Sequence, residues 1–175
     1  DPKGQPENAA ELKKQTWGQV EELLTKYGKI DVLWYDGGWM SMRGSDADAE
    51  PFWESNKLAQ YARSVNPKLI ISQRSGWIGD FDTAEGSAPV TGQIRTRPWE
   101  KGLNLNDVSW GYNTRQNVMS RDQVVNMLVN TVVRGGNMLL NVGPDKDGVV
   151  PEAHLARLKE VGDWLTKYGE SIYNT

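Results

Sequence analysis

The sequence predicts an α/β protein with a parallel sheet. Helical and strand-like segments alternate along it, the strand-like segments are almost unbroken apolar runs, and Gly or Pro marks most joints. Three firm strands and one weak one amount to half of an eight-stranded TIM-like (β/α) barrel, which takes about 250 residues, or else to a small open sheet.

The elements follow in order. Trp17, Val20, Leu23, Leu24 and Tyr27 fall at spacings of 3, 3, 1 and 3, one face of a helix within residues 6–27, and Gly28 supplies its stop. Ile30 to Tyr35 is an apolar run that reads as a parallel strand covered on both faces. A second helix opens at Pro51, a good first-turn residue, and ends at Val65 before Asn66-Pro67. Leu69 to Gln73 is the next buried strand. Ser75 to Thr114 is irregular and carries five aromatics, with Val90–Thr96 as a short strand inside it. A stretch of that length without regular structure is functional or disordered, and its aromatic content argues for function.

Order returns at Ser120, which stands three residues before Gln123. That capping-box spacing opens a helix carrying Val124, Met127, Leu128 and Thr131. Gly135-Gly136 stops it, and Met138–Val142 forms a further strand. The last helix shows Leu155, Leu158, Val161, Leu165 and Tyr168 at spacings of 3, 3, 4 and 3. No repeat and no low-complexity linker interrupts the chain, so residues 1–175 read as a single domain.

Composition removes several function classes. A net charge of −3 with 25% charged residues is too balanced for a nucleic-acid-binding face. The absence of cysteine excludes disulfides and thiolate metal sites. One histidine, His154, excludes a histidine-rich metal centre, and neither a metal nor a cofactor is expected. No apolar run approaches the roughly 20 residues of a membrane span. The chain opens on Asp1 rather than Met with no signal peptide, as expected of a processed chain or a piece of a longer one. Eight Trp stand against two Phe; flat, amphipathic indoles fill cores, but they also line sugar sites.

The candidate chemistry lies just after strand C-termini, where such sheets carry their sites. Asp36 ends the first strand and precedes Gly37-Gly38, which allow close approach to the backbone; the alternative is a plain Asp-Gly turn. Arg74 ends the second strand, and a surface ion pair explains it equally well. Asp80, Asp82 and Glu85 follow in the irregular stretch, and Glu100 follows Trp99. Paired carboxylates suit glycoside hydrolysis, with a nucleophile and a proton donor about 5–5.5 Å apart in retaining enzymes. The donor must hold its proton near neutral pH. Asp80 and Asp82 beside Glu85 favour protonation there, whereas Arg95, Arg97 and Lys101 around Glu100 favour its ionised form. Asp145-Lys146-Asp147-Gly148 lacks the sixth-position Gly of a calcium loop and reads as an Asp-Gly turn. His154 falls off the Leu155–Leu158 stripe and reads as solvated.

Leu33-Trp34-Tyr35-Asp36-Gly37 resembles the nucleophile motif of the α-L-fucosidases of glycoside hydrolase family 29. The likeness continues through Gln73-Arg74-Ser75-Gly76, Asp80–Glu85, Trp99-Glu100, Ser109–Asn113, Gly135–Pro144, Gly148 and Tyr168–Tyr173, in family order. The resemblance implies that Asp36 is the nucleophile, that Trp34 and Arg74 contact fucose, and that Trp110 walls the sugar pocket. Glu85 is the first choice for the general acid and Glu100 the second. Members of the family form a full barrel followed by a β-sandwich domain, so this chain corresponds to the C-terminal half of the catalytic barrel, from just before the fourth strand. The family's fucose-gripping histidines lie on earlier strands.

Two readings follow. The first is a retaining α-L-fucosidase that cleaves terminal fucose from glycans, completed by a second copy in a homodimer or by another chain. The second is a non-catalytic fucose-binding module or barrel relic. A flavodoxin-like domain is a weaker alternative, since no phosphate-binding loop is present. The resemblance implies a soluble protein, periplasmic or secreted. Half a barrel leaves sheet edges and an apolar face open, which is the reason to expect self-association.

Overall fold

The computed structural model describes residues 4–36, 50–75, 78–106, 109–115 and 117–173. Gly37-Gly38 and Gly76 lie outside the described residues. The chain divides into two compact units, Asp1–Asp82 and Thr83–Thr175. Both are mixed α/β with parallel strands, and no described helix is long and apolar enough to cross a membrane.

The first unit is a βαβ arrangement with a helix before it. Helix α1 (Pro6–Lys26) leads to β1 (Val32–Leu33), then α2 (Glu50–Trp53), α3 (Ser55–Val65) and β2 (Ile70–Ile71). The strands pair in parallel with Val32 opposite Ile70 and Leu33 opposite Ile71. Val20 and Leu24 of α1, Leu33 and Tyr35, Leu58, Ala59 and Ala62 of α3, and Leu69 and Ile71 form one apolar cluster. Each strand therefore buries every second residue on the helices, while Val32 and Ile70 remain 47% and 45% exposed. The expectation of strands covered on both faces fails here: one face is covered and the other is open. The helix expected over 51–65 is broken at Glu54, whose backbone is left-handed (φ +52°). Lys13 of α1 and Lys57 both ion-pair with Glu54. Their hydrogen bonds, Lys13 first, hold its carboxyl down to about 2. Together with a hydrogen bond from Trp17 Nε1 to the Trp53 carbonyl (3.0 Å), they fasten α1 to this corner.

The second unit holds β4 (Trp99–Asn104), α4 (Arg121–Val132), β5 (Gly136–Asn141) and α5 (Glu152–Tyr168); β3 (Asp82–Glu85) starts at the boundary and lies beside β4 in the order β3-β4-β5. Strands β4 and β5 are parallel over six residues, from Trp99 opposite Gly136 to Asn104 opposite Asn141. Residues 90–96, expected as a strand, form none. The cap of α4 is as its sequence specifies: Gln123 N donates to Ser120 Oγ (3.2 Å), and Ser120 N donates to Gln123 Oε1 (2.7 Å). Leu105, Val124 and Val161 centre the core, with Met138, Leu140, Leu158 and Leu165 against them. Gly136 makes room for the buried indole of Trp99, since a Cβ there would stand 2.4 Å from Trp99 Cε2. Asp145 forms the expected Asp-Gly turn, its Oδ1 accepting from Asp147 N and Val149 N (both 2.9 Å) while Gly148 takes φ +80°.

His154 corrects the sequence reading. It is fully buried, not solvated, because the packed stripe of α5 runs through His154, Leu158, Val161 and Leu165, while Leu155 is exposed. Neither ring nitrogen has a hydrogen-bond partner among the described residues. Burial pushes the imidazole below its usual 6.5. The folded state thus resists a proton that the unfolded chain accepts, and stability falls as pH drops through and below 6.5. A plot of Tm against pH should flatten between about pH 7 and pH 5 on His154→Leu substitution. An unchanged slope would exclude His154 as the source of the acid sensitivity.

Candidate active site

In the first unit, alternation along β1 decides which side chains are offered to a ligand. Leu33 and Tyr35 are buried in the cluster, so Trp34 and Asp36 point to the opposite, open face. Burial also pushes the Tyr35 phenol upward, consistent with a core role. After β2 the chain turns through a short 3₁₀ segment (Gln73–Ser75) that brings Arg74 to the same place. Arg74 Nη1 donates to Asp36 Oδ1 at 2.9 Å, and the guanidinium lies 4.8 Å from the centroid of the Trp34 ring. The Asp36 side chain is 74% exposed, whereas Arg74 is 19% exposed. A carboxylate offered to solvent is thus held by a cation that is itself packed on an indole.

The end of β2 is fastened from its other side. Asp80 Oδ2 accepts from Ile71 N at 2.7 Å, and Arg63 Nη2 donates to both Asp80 oxygens at 2.6 and 2.7 Å. Asp80 N returns a hydrogen bond to the Ile71 carbonyl (2.8 Å). Asp80, one of the two carboxylates expected to favour protonation of Glu85, is engaged with Arg63. Gly79 permits this turn: at φ +62°, a Cβ would stand 2.6 Å from Gln73 N.

The second unit carries the other candidates. Trp99, Lys101 and Leu103 are buried, so alternation puts Glu100, Gly102 and Asn104 on the opposite face of β4. A Cβ on Gly102 would lie 3.5 Å from Trp110 Cη2 and 3.6 Å from Glu85 Cγ, so both side chains reach over the same glycine. Glu85 is exposed at the end of β3, and Trp110 is 45% exposed. The structure thus brings Glu85 and Trp110 together and sets Glu100 on the strand beneath them. Asn141 Nδ2 donates to Asn104 Oδ1 (2.9 Å) and to the Trp110 carbonyl (2.7 Å), tying the indole's loop to β5. Sequence reasoning missed this asparagine pair, whose signal lay in matched positions at the two strand ends. Two of the cations expected around Glu100 have other contacts. Arg95 stacks over Trp99 at 4.2 Å, and the buried Lys101 amine donates to the Glu85 carbonyl (3.4 Å). Burial, and then the charge of Arg95, push Lys101 below 10.5. Trp53 and Trp99 are buried in the core, Trp110 is 45% exposed, and Trp34 lies against the Arg74 guanidinium. Among the described residues, no cluster of three or more His, Asp or Glu is placed to hold a metal.

The family model described as alpha-L-fucosidase matches residues 1–170. The chain belongs to the alpha-L-fucosidase family. It is 30% identical over 174 residues to the plasma alpha-L-fucosidase of Rattus norvegicus, covering 92% of this chain and 36% of the rat protein. The tissue alpha-L-fucosidase of Homo sapiens is 28% identical over 171 residues, 91% of this chain and 34% of that protein. Among solved structures, alpha-L-fucosidase isoenzyme 1 of Paenibacillus thiaminolyticus superposes with a TM-score of 0.80 at 37% identity, over 92% of this chain and 40% of its own. The Thermotoga maritima alpha-fucosidase solved in complex with fucose gives 0.74 at 33% identity, over 94% and 36%. The chain therefore spans about a third of the length of the curated fucosidases it matches. Within the fucosidase family's matched region stand all six site candidates: Trp34, Asp36, Arg74, Glu85, Glu100 and Trp110.

Proposed function

We propose that this chain carries the nucleophile and the general acid of a retaining α-L-fucosidase acting on fucosylated glycans. The observation that supports it most is the exposed Asp36 carboxylate held at 2.9 Å by Arg74 beside Trp34, in a chain of the fucosidase family. In the first step an Asp36 oxygen bonds to the anomeric carbon as the bond to the leaving group breaks, and Glu85 gives its proton to the departing oxygen. In the second, Glu85 takes a proton from water, whose oxygen attacks the anomeric carbon and releases Asp36. Two inversions give net retention. Arg74 fixes the attacking carboxylate, and Trp34 and Trp110 offer apolar walls to the sugar. In this reading residues 1–175 belong to one catalytic domain.

The same reading makes the open sheet face of the first unit an interface. Val32 and Ile70 in the first unit are 47% and 45% exposed, an apolar patch that water does not favour. We assign its cover to a second copy of the chain in a homodimer.

Three outcomes test these assignments. In the protein at its natural length, Asp36→Ala should lower turnover of an aryl α-L-fucoside at least about a thousandfold, with azide restoring it as the β-fucosyl azide. Turnover at the parent rate would remove Asp36 from the role. Glu85→Ala should lose about 10²–10⁴-fold on substrates with poor leaving groups and far less on activated aryl fucosides. If Glu100→Ala gives that pattern and Glu85→Ala does not, the acid is Glu100. Light scattering coupled to size exclusion should return twice the monomer mass at micromolar concentration, and a well-folded monomer would exclude the homodimer.

A further inference from the structure

The parallel ladder that carries Asp36 ends before it reaches Asp36. Backbone pairing joins Val32 to Ile70 and Leu33 to Ile71, and its last bond runs from Ser72 N to the Leu33 carbonyl at 3.1 Å. Beyond that point β2 turns into the 3₁₀ segment, and its backbone leaves the direction of β1. The Ser72 hydroxyl continues the pairing. Tyr35 N donates to Ser72 Oγ at 2.8 Å, and Ser72 Oγ donates toward the Tyr35 carbonyl at 3.5 Å. Ser72 is fully buried and bridges to Phe81 on its far side, so the hydroxyl projects from an immobilised backbone.

Ser72 stands two residues before Arg74, and its contact Tyr35 immediately precedes Asp36. One hydroxyl thus ties together the two arms that end in the Asp36–Arg74 pair. Resting on the fucosidase reading above, we infer that Ser72 is a positioning residue for the nucleophile: it fixes the Tyr35 peptide and so sets how far the Asp36 carboxylate extends. Substrate binding depends less on it: Trp34 adjoins the same peptide, but the broad apolar face of an indole tolerates a small displacement better than an attacking oxygen does. The effect belongs in kcat, since a displacement of about 1 Å in a reacting group can cost on the order of a hundredfold.

The test is a double-mutant cycle on 4-nitrophenyl α-L-fucoside, using the protein at its natural length. Ser72→Ala should lower kcat about 10–100-fold and move KM less than about threefold. In an Asp36→Gly background supplied with azide, the nucleophile is no longer attached to the chain. There Ser72→Ala should change the azide-dependent rate less than about twofold. An equal loss in both backgrounds makes Ser72 a structural residue only, and no loss in the parent protein removes it from positioning; either outcome overturns the proposal. If Ser72→Ala does not fold, Ser72→Cys carries the same test, because a thiol fills the space but is a weak hydrogen-bond partner. Asp36→Gly with full turnover and no azide would be a different failure, that of the fucosidase reading itself.

Discussion

Burial of Leu33 and Tyr35 is the constraint on which the first unit depends. Side chains alternate across a strand, so a residue sunk into the helices obliges its neighbours to face the other way. Once Leu33 and Tyr35 join the cluster of Val20, Leu24, Leu58 and Ile71, Trp34 and Asp36 have no place except the open face. The apolar core thus does more than hold the unit together: it decides that a carboxylate and an indole stand side by side. The parallel partner adds Arg74 by another route: beyond Ile71 the chain turns through the 3₁₀ segment Gln73–Ser75, which delivers the guanidinium to Asp36.

The second unit uses the same period with less apolar material. Trp99, Lys101 and Leu103 face inward, which turns Glu100, Gly102 and Asn104 outward beneath Glu85 and Trp110. Lys101 shows what this arrangement costs. A buried ammonium is unfavourable, and its depressed titration is the sign of that. The strand tolerates it because the ladder with β5 extends over six residue pairs, and because Trp99 and Leu103 on either side are almost wholly buried.

Features that depend on local chemistry were readable in the sequence. The face of α1, the Ser120–Gln123 cap, the Asp145–Gly148 turn and the parallel β1, β2 and β5 all follow from residues close together in the chain. Features that depend on distant partners were not. Strand β4 has two charged residues and a glycine among its six positions, so no apolar run announces it; its pairing with β5 makes it a strand. The break at Glu54 brings its carboxylate to lysines of two helices, one of them distant in the chain. His154 was misread because Leu155, the apolar residue beside it, was assumed to face the core, a rotation of the helix that packing against Val124 and Leu105 does not adopt. The site candidates were named from strand ends and from family likeness, but the grouping of Glu85 with Trp110 over Gly102 is a three-dimensional fact. So is the Asn104–Asn141 pair that supports it.

Two arginine–aspartate pairs in the first unit separate structure from chemistry. Arg63 and Asp80 make a two-pronged pair whose carboxylate also takes the Ile71 N–H, so that both partners secure the backbone at the end of β2. Removing either would leave a strand end without its clamp. Arg74 and Asp36 differ in exposure: the Asp36 side chain that accepts from Arg74 Nη1 is 74% exposed, against 36% for Asp80. A pair so open to solvent contributes about 0–1 kcal/mol to folding. Folding stability therefore does not account for a guanidinium packed against an indole and aimed at a solvent-facing carboxylate. On the proposed fucosidase reading, fixing that carboxylate in position accounts for it, since a nucleophile gains rate from a defined geometry that a freely rotating side chain lacks. The structural pair fastens the strand, and the strand carries the exposed pair to its open face.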